Sequence, residues 1–403
     1  MRNHFARELN EAMDQLTFSP EDKQRMVKNL TQARPQAAPR KAKPSPAKRM
    51  LAVALVAAAA LATLTGAAVF TRWSSNAQSR YNPSQQIKDQ AKDSGLSVML
   101  DGKSTQPSGQ QDTKEVLSAT DQGITVTAVQ TIADEYGCEL TFRVEGFQLP
   151  EGRYPDVWPS ITIDGRGHIY SSMSYTFFDG IIKDENGSKV YASSRKPVEM
   201  QNGSYVPQYI APDGSMEFTI WLQFRQDEAF RKEVGTLLGK EIQVHLAGFG
   251  QQSTEKAGMP EKLVEGSWDL RWTLTGADSD SSTVTISPDT VIGDSDLTLL
   301  DMEIGQKSVH ATYKLAKPWD GWKQMDTLSP NLEHIRLKNG TCVSVVPTQE
   351  NYEQIDQLMC EITYTTFEGM LDLSQLDALA YHKGWETDAD GNRIQTFTYI
   401  PIG

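Results

Sequence analysis

The side chains of this 403-residue chain that could ligate a metal, attack a carbonyl or move a proton are six histidines, three cysteines and 52 acidic residues. His4, His168, His245, His310, His334 and His382 are scattered, and none stands at ligand spacing from another His or a Cys, so no zinc site is legible. No nucleophile elbow, phosphate-binding Gly-rich loop or dinucleotide fingerprint occurs. Asp156 and Asp164 are candidates for a glycosidase pair, but in a chain so rich in carboxylates spacing alone does not select them. Asp388, Asp390 and Asn392 alternate like the first half of a calcium loop; the twelfth position, which needs a Glu, is Tyr399. The other reading of that stretch is a hairpin tip using Asp, Gly and Asn for its backbone angles. In WDGW, Trp319 and Trp322 either offer an aromatic ligand surface or cap the end of a sheet. These patterns predict a protein that is not an enzyme, with no catalytic residues, no cofactor and no metal.

The cysteines are too few for a disulfide scaffold. Cys138 alternates with Leu140, Phe142 and Val144 and reads as a small buried apolar group. Cys342 and Cys360 flank a short excursion between two strands, where an extracellular bridge is one reading. The inward alternation of Val343 and Val345 argues instead for Cys342 facing outward.

The elements that would position any site divide at one run. Met50–Phe70 is 21 residues without a charge, enough for a helix across about 30 Å of hydrocarbon. Arg34, Arg40, Lys41, Lys43, Lys48 and Arg49 precede it with no acid among them, and Trp73 follows at interface depth. A signal peptide would have a shorter charged lead, a lipoprotein would need a cysteine after the run, and a core helix would not be flanked by six cations. The expectation is a single-pass plasma-membrane protein, N-terminus cytoplasmic and C-terminal domains extracytoplasmic, with the lipid bilayer as a partner. Residues 1–49 hold eleven Lys+Arg against five Asp+Glu, a net +6. The chain as a whole is −13, so the part beyond the span is −19, which does not suit nucleic acid.

Residues 1–33 read as a helical cytoplasmic segment. Phe5, Leu9, Met13 and Leu16 recur at helical spacing. Ser19 and Pro20 start a second helix with Met26, Val27 and Leu30 on its apolar side, and Pro35 ends it. Two such helices cannot bury a core of their own, so the stripe Leu9, Met13, Leu16, Met26 and Leu30 is the candidate partner-binding surface. Residues 34–49 form a basic, Pro-rich linker, 50–71 the transmembrane helix, and 72–113 a polar extracytoplasmic tether.

From about 115 the pattern becomes two-residue alternation, as in ITVTAVQTI, CELTFRV, MEFTIWLQF and SWDLRWTL, separated by DGRG, DENGS and APDG. One helix, roughly Gln226 to Leu238, interrupts it. The fold class predicted is mainly β: a β-sandwich over 114–288 and a second, smaller one over 289–403, the latter carrying an Asn339-Gly340 hairpin signal.

A short helical N-terminus, Lys48-Arg49 before one span, and then GITVTAVQTIADEYGCELTFRVEG, WPSITIDG and VEGSWDLRWTLTG resemble the Gram-positive membrane family called domain of unknown function 4179. DLTLLDMEIGQKSVHATYKL resembles its usual companion, domain of unknown function 5643. The resemblance covers most of the chain from about residue 45. It implies two immunoglobulin-like outer modules and a role akin to negative effectors of extracytoplasmic-function sigma factors, and it brings no catalytic or metal residues. The His and Cys signature of zinc-type anti-sigma factors is absent from the N-terminal helices.

Two functions follow as expectations. One is a transmembrane anti-sigma regulator whose partners are a sigma factor inside and an unknown ligand outside. The other is a cell-surface binding or adhesion protein whose cytoplasmic helices are only a stub.

Overall fold

The computed structural model describes residues 73–100, 115–150, 152–184, 186–252, 259–278, 282–293, 295–317, 332–351, 358–366, 369–388 and 391–402. The chain divides into two compact units, Met1–Thr63 and Leu64–Gly403, and everything described lies in the second. Leu9, Met13, Leu16, Met26 and Leu30, the run Met50–Phe70 and the WDGW loop lie outside the described residues. Among the described residues no helix is long and apolar enough to cross a membrane.

The elements run α1 (Ser75–Tyr81), α2 (Gln85–Asp93), β1 (Ser97–Met99), β2 (Ser118–Asp121), β3 (Ile124–Asp134), β4 (Gly137–Glu145), β5 (Pro155–Ile163), β6 (Tyr170–Phe177), β7 (Ile181–Lys183), β8 (Lys189–Tyr191), β9 (Met200–Gln201), β10 (Ser204–Tyr205), β11 (Met216–Phe224), α3 (Glu228–Val234), β12 (Glu241–Gln252) and β13 (Pro260–Thr273). They continue with β14 (Val284–Ile286), β15 (Thr290–Val291), β16 (Leu297–Ile304), β17 (Ser308–Leu315), β18 (Leu332–Leu337), β19 (Cys342–Asn351), β20 (Met359–Thr366), β21 (Leu376–Thr387) and β22 (Arg393–Pro401).

The protein is mainly β, with sandwich-like sheets. In the first sandwich an antiparallel sheet ordered β1-β3-β4-β11-β6, with β2 against β3, faces a sheet ordered β13-β12-β5. Alternation decides what lies between them. Met216, Phe218, Ile220, Leu222 and Phe224 of β11 meet Trp268, Leu270 and Trp272 of β13 in one core, with Cys138 buried among them as its pattern predicts. Trp268 is fully buried, donates its indole N–H to the Ile124 carbonyl at 2.8 Å, and lies edge-on to Phe249 at 5.0 Å.

The second sandwich is one antiparallel path, β14-β16-β17-β20-β19-β18-β21-β22, with β15 flanking β16. Strand β19 serves both layers: Cys342–Ser344 pair with β18, and Val345–Asn351 with β20. A second core fills this module, separate from the first. At its centre the Tyr313 hydroxyl lies 3.1 Å from those of both Tyr364 and Tyr381, so three buried phenols satisfy one another. This sheet starts at Val284, slightly before the boundary read at 289. Cys342 points outward and is exposed, Cys360 is buried, and neither is in a disulfide.

Two expectations change. The predicted helix Gln226–Leu238 is only Glu228–Val234, capped by Asp227 accepting from the Phe230 amide at 3.0 Å and stopped by Gly235 at φ 67°. More consequentially, residues 73–100, within the stretch read as tether, are ordered into secondary structure. They form α1, α2 and β1; Ser74 and Ser84 cap the helices, and Ser97–Met99 pair with Gln130–Ile132 of β3. Their polar composition reads as linker because the face they cover is itself polar.

Candidate functional site: a polar seam beneath the first helices

A sheet with one face on a core normally leaves the other wet. Here the far face of β3, β4 and β11 is buried: Gln130, Glu139, Thr141, Arg143 and Thr219 are all at most 9% exposed. Helix α1 and its cap cover it, bond by bond. The Ser74 amide donates to Gln130 Oε1 at 3.0 Å, and Gln130 donates onward to Ser97 Oγ at 2.8 Å. The amides of Ser75 and Asn76 donate to the Glu217 carboxylate at 3.1 and 2.5 Å, which satisfies the free N–H groups of the helix start. Asn76 Nδ2 donates to Thr219 Oγ1 at 2.8 Å.

At the other end of α1 the Tyr81 hydroxyl donates to Glu139 Oε1. The same carboxylate oxygen lies 3.6 Å from Lys307 Nζ, and both charged side chains are at most 5% exposed. Lys307 sits on the turn between β16 and β17, in the second sandwich. One carboxylate therefore joins a helix and both sandwiches. Burial, with Glu139 beside it, pushes the Tyr81 phenol well above its ordinary range, so it remains a donor.

Helix α2 extends the seam. Gln90 Nε2 donates to Asp372 Oδ1 at 3.1 Å, Ser94 Oγ donates to Gln306 Oε1 at 3.4 Å, and Ala77, Tyr81, Ala91, Leu96, Ile132, Ala277 and Met370 share a small apolar cluster. A cavity of about 20 Å³ lined by Leu96, Tyr136, Ala277 and Gln306 lies here, with room for about one water and none for a ligand. The sandwiches also touch directly. Tyr136 donates to Glu303 Oε2 at 3.0 Å and stacks on His310 at 5.2 Å, and Arg231 pairs with Glu361 at 3.0 Å.

The chemistry read from sequence is placed as follows. Asp156 and Asp164 stand at opposite ends of β5, eight residues apart, hence about 26 Å along the strand, whereas a glycosidase pair lies within about 10 Å. Asp156 instead accepts from the Tyr175 hydroxyl at 2.6 Å. The stretch around Asp388 turns the β21–β22 hairpin: Gly391 has φ 85°, and the Asn392 amide donates to Asp388 Oδ1 at 2.8 Å. Among the described residues no group of three His, Cys, Asp or Glu could hold a metal ion.

The seam residues Tyr81, Glu139, Glu217 and Lys307 escaped the sequence reading. Glu139 occupies an ordinary outward position in CELTFRV, and nothing local marks its partner about 170 residues away. The serines at 74 and 84, each opening a helix-compatible run, were the available signal.

No family model matches the chain, and no curated protein matches it. Among solved structures, a conserved domain protein from Bacillus anthracis aligns with 72% of this chain and 90% of its own length, at 11% identity and a TM-score of 0.37, a likeness too slight to carry an argument.

Proposed function

We propose that the chain is a single-pass membrane regulator resembling an anti-sigma factor. Its cytoplasmic helices hold an extracytoplasmic-function sigma factor through Leu9, Met13, Leu16, Met26 and Leu30, and its two outer modules, read as immunoglobulin-like, sense the envelope. No catalytic step is assigned to it. The observation that carries this reading is the seam. Four residues separate Phe70, the end of the apolar run, from Ser75, the start of α1. At about 3.5 Å per residue they span less than about 20 Å. A sensor needs its outer domains fixed to the span, and the segment after the run is bonded to both sandwiches within 25 residues of its first helix.

The second reading, a surface binding or adhesion protein, draws on a different observation. The outer face of β18, β21 and β22 carries His334, His382, Phe397, Tyr399 and Trp385, with the Arg336 guanidinium 4.3 Å over the Tyr399 ring; Tyr399 and Trp385 are 43% and 51% exposed. Such a face suits a binding module. A flexible tether would serve that purpose, and the bonded segment after the run is why the regulator is preferred.

The discriminating experiment is co-purification of the full-length chain with each extracytoplasmic-function sigma factor of its own cell. The regulator reading expects a complex that survives purification and is lost on Leu9→Asp combined with Leu30→Asp, two charges placed on the apolar stripe. A complex indifferent to that double change, or none at all, returns the protein to the binding-module reading.

A further inference from the structure

We propose that the contact between the two sandwiches is an acid-loosened hinge whose titrating element is His310. The imidazole lies on β17 of the second sandwich and is stacked, at 13° between ring planes, on Tyr136 from the β3–β4 turn of the first. Its Nδ1 is 3.1 Å from Thr363 Oγ1 on β20. Every element packed around it brings a charge or a titratable group: Tyr136 with Asp134 and Glu135 on the turn, Glu303 on β16, Glu361 on β20, and Arg231 on α3.

The opposing effects have a definite balance. Burial holds the imidazole below its ordinary range, Glu361 and Glu303 pull it upward, and Arg231 adds to the lowering; the net direction is down. The closed contact thus prefers neutral His310. Once the sandwiches part, the ring regains water and remains beside two carboxylates, so the open form binds the proton more readily. The contact is at full strength above the ordinary His range, about pH 6.5, and weakens as pH falls below it. The ion pairs Arg231–Glu361 and Lys307–Glu139 flank the same contact, and variants at position 310 separate the imidazole's contribution from theirs. Among the other described histidines, His168 is exposed, His245 pairs with Asp269, and His334 and His382 lie on the aromatic face of β18–β22. The inference does not depend on whether the cytoplasmic helices bind a sigma factor.

Hydrogen exchange on the full-length protein in nanodiscs, corrected for the chemical rate, tests it. Between about pH 7.5 and 5.5, backbone protection over residues 129–140 and 303–312 should fall severalfold, the direction set by an imidazole held below its ordinary range in the closed contact. His310→Gln keeps a partner for Thr363 and His310→Phe keeps a ring on Tyr136; neither titrates, and in each the fall should vanish while β4 and β11 stay protected. Unchanged or increased protection of the wild type on acidification overturns the proposal. So does a fall of the same size in either variant.

Discussion

Replacing Lys307 with alanine should cost about 3–5 kcal/mol, more than an ordinary lysine on a β-turn, because it leaves the Glu139 carboxylate buried without its counter-charge. Glu139 is 2% exposed and has only the Tyr81 hydroxyl and the Lys307 ammonium as its described side-chain partners, so removing the cation forces either an unpaired charge or a hydrated gap between α1 and the sheet. The loss should appear as a lowered urea midpoint for the full-length chain in detergent. Combining Lys307→Met with Glu139→Gln should restore most of it. The methionine fills the lysine's space, and the amide oxygen still accepts from Tyr81 without bringing a charge indoors. If Lys307→Ala costs less than about 1 kcal/mol, the pair behaves as a surface bridge and the seam is wetter than described.

Trp268→Ala should be similarly severe, about 3–5 kcal/mol, for a different reason. The indole is the largest fully buried side chain of the first sandwich; its removal opens a cavity against Phe249 and leaves the Ile124 carbonyl at the start of β3 without its donor. Gly266 offers an internal check. A Cβ added there would come within 2.5 Å of the Trp268 ring, so Gly266→Ala should overpack the site and cost about 1–3 kcal/mol in wild type. In the Trp268→Ala background that cost should shrink, because the ring is gone and only the Asp121 carboxylate, 2.8 Å from the added Cβ, is left to shift. Calorimetry of the two single changes and the pair measures the coupling.

Much of the architecture was written in alternation. The strands around Cys138, Met216 and Trp268 bury one face and pair through it, and the hydrophobic residues alone specify which face. Even the orientation of Cys342 followed from Val343 and Val345, which are buried while Cys342 is exposed. What escaped was polar. SSNAQSRYNPSQQ has a linker's composition, yet it folds, because Glu217, Gln130, Thr219 and Glu139 on the sheet supply acceptors for its amides, its Asn76 side chain and its Tyr81 hydroxyl. Hydrophobic periodicity cannot register that kind of burial. The partner of a lone outward Glu is fixed by tertiary placement, here on a turn in another module, and no local spacing encodes it. Asp156 and Asp164, which spacing alone could not select as a pair, lie at the two ends of one strand, so strand geometry sets their separation.

The central claim is that the sandwiches lie outside the cell on an anchor that enters the bilayer once, and the chain carries its own probe for it. Of the three cysteines, Cys342 is exposed while Cys138 and Cys360 are at most 1% exposed. A membrane-impermeant maleimide added to intact cells should modify the membrane-bound protein once, with the mark lost in Cys342→Ser. Labelling that begins only after the cells are broken would place the sandwiches inside and contradict the account.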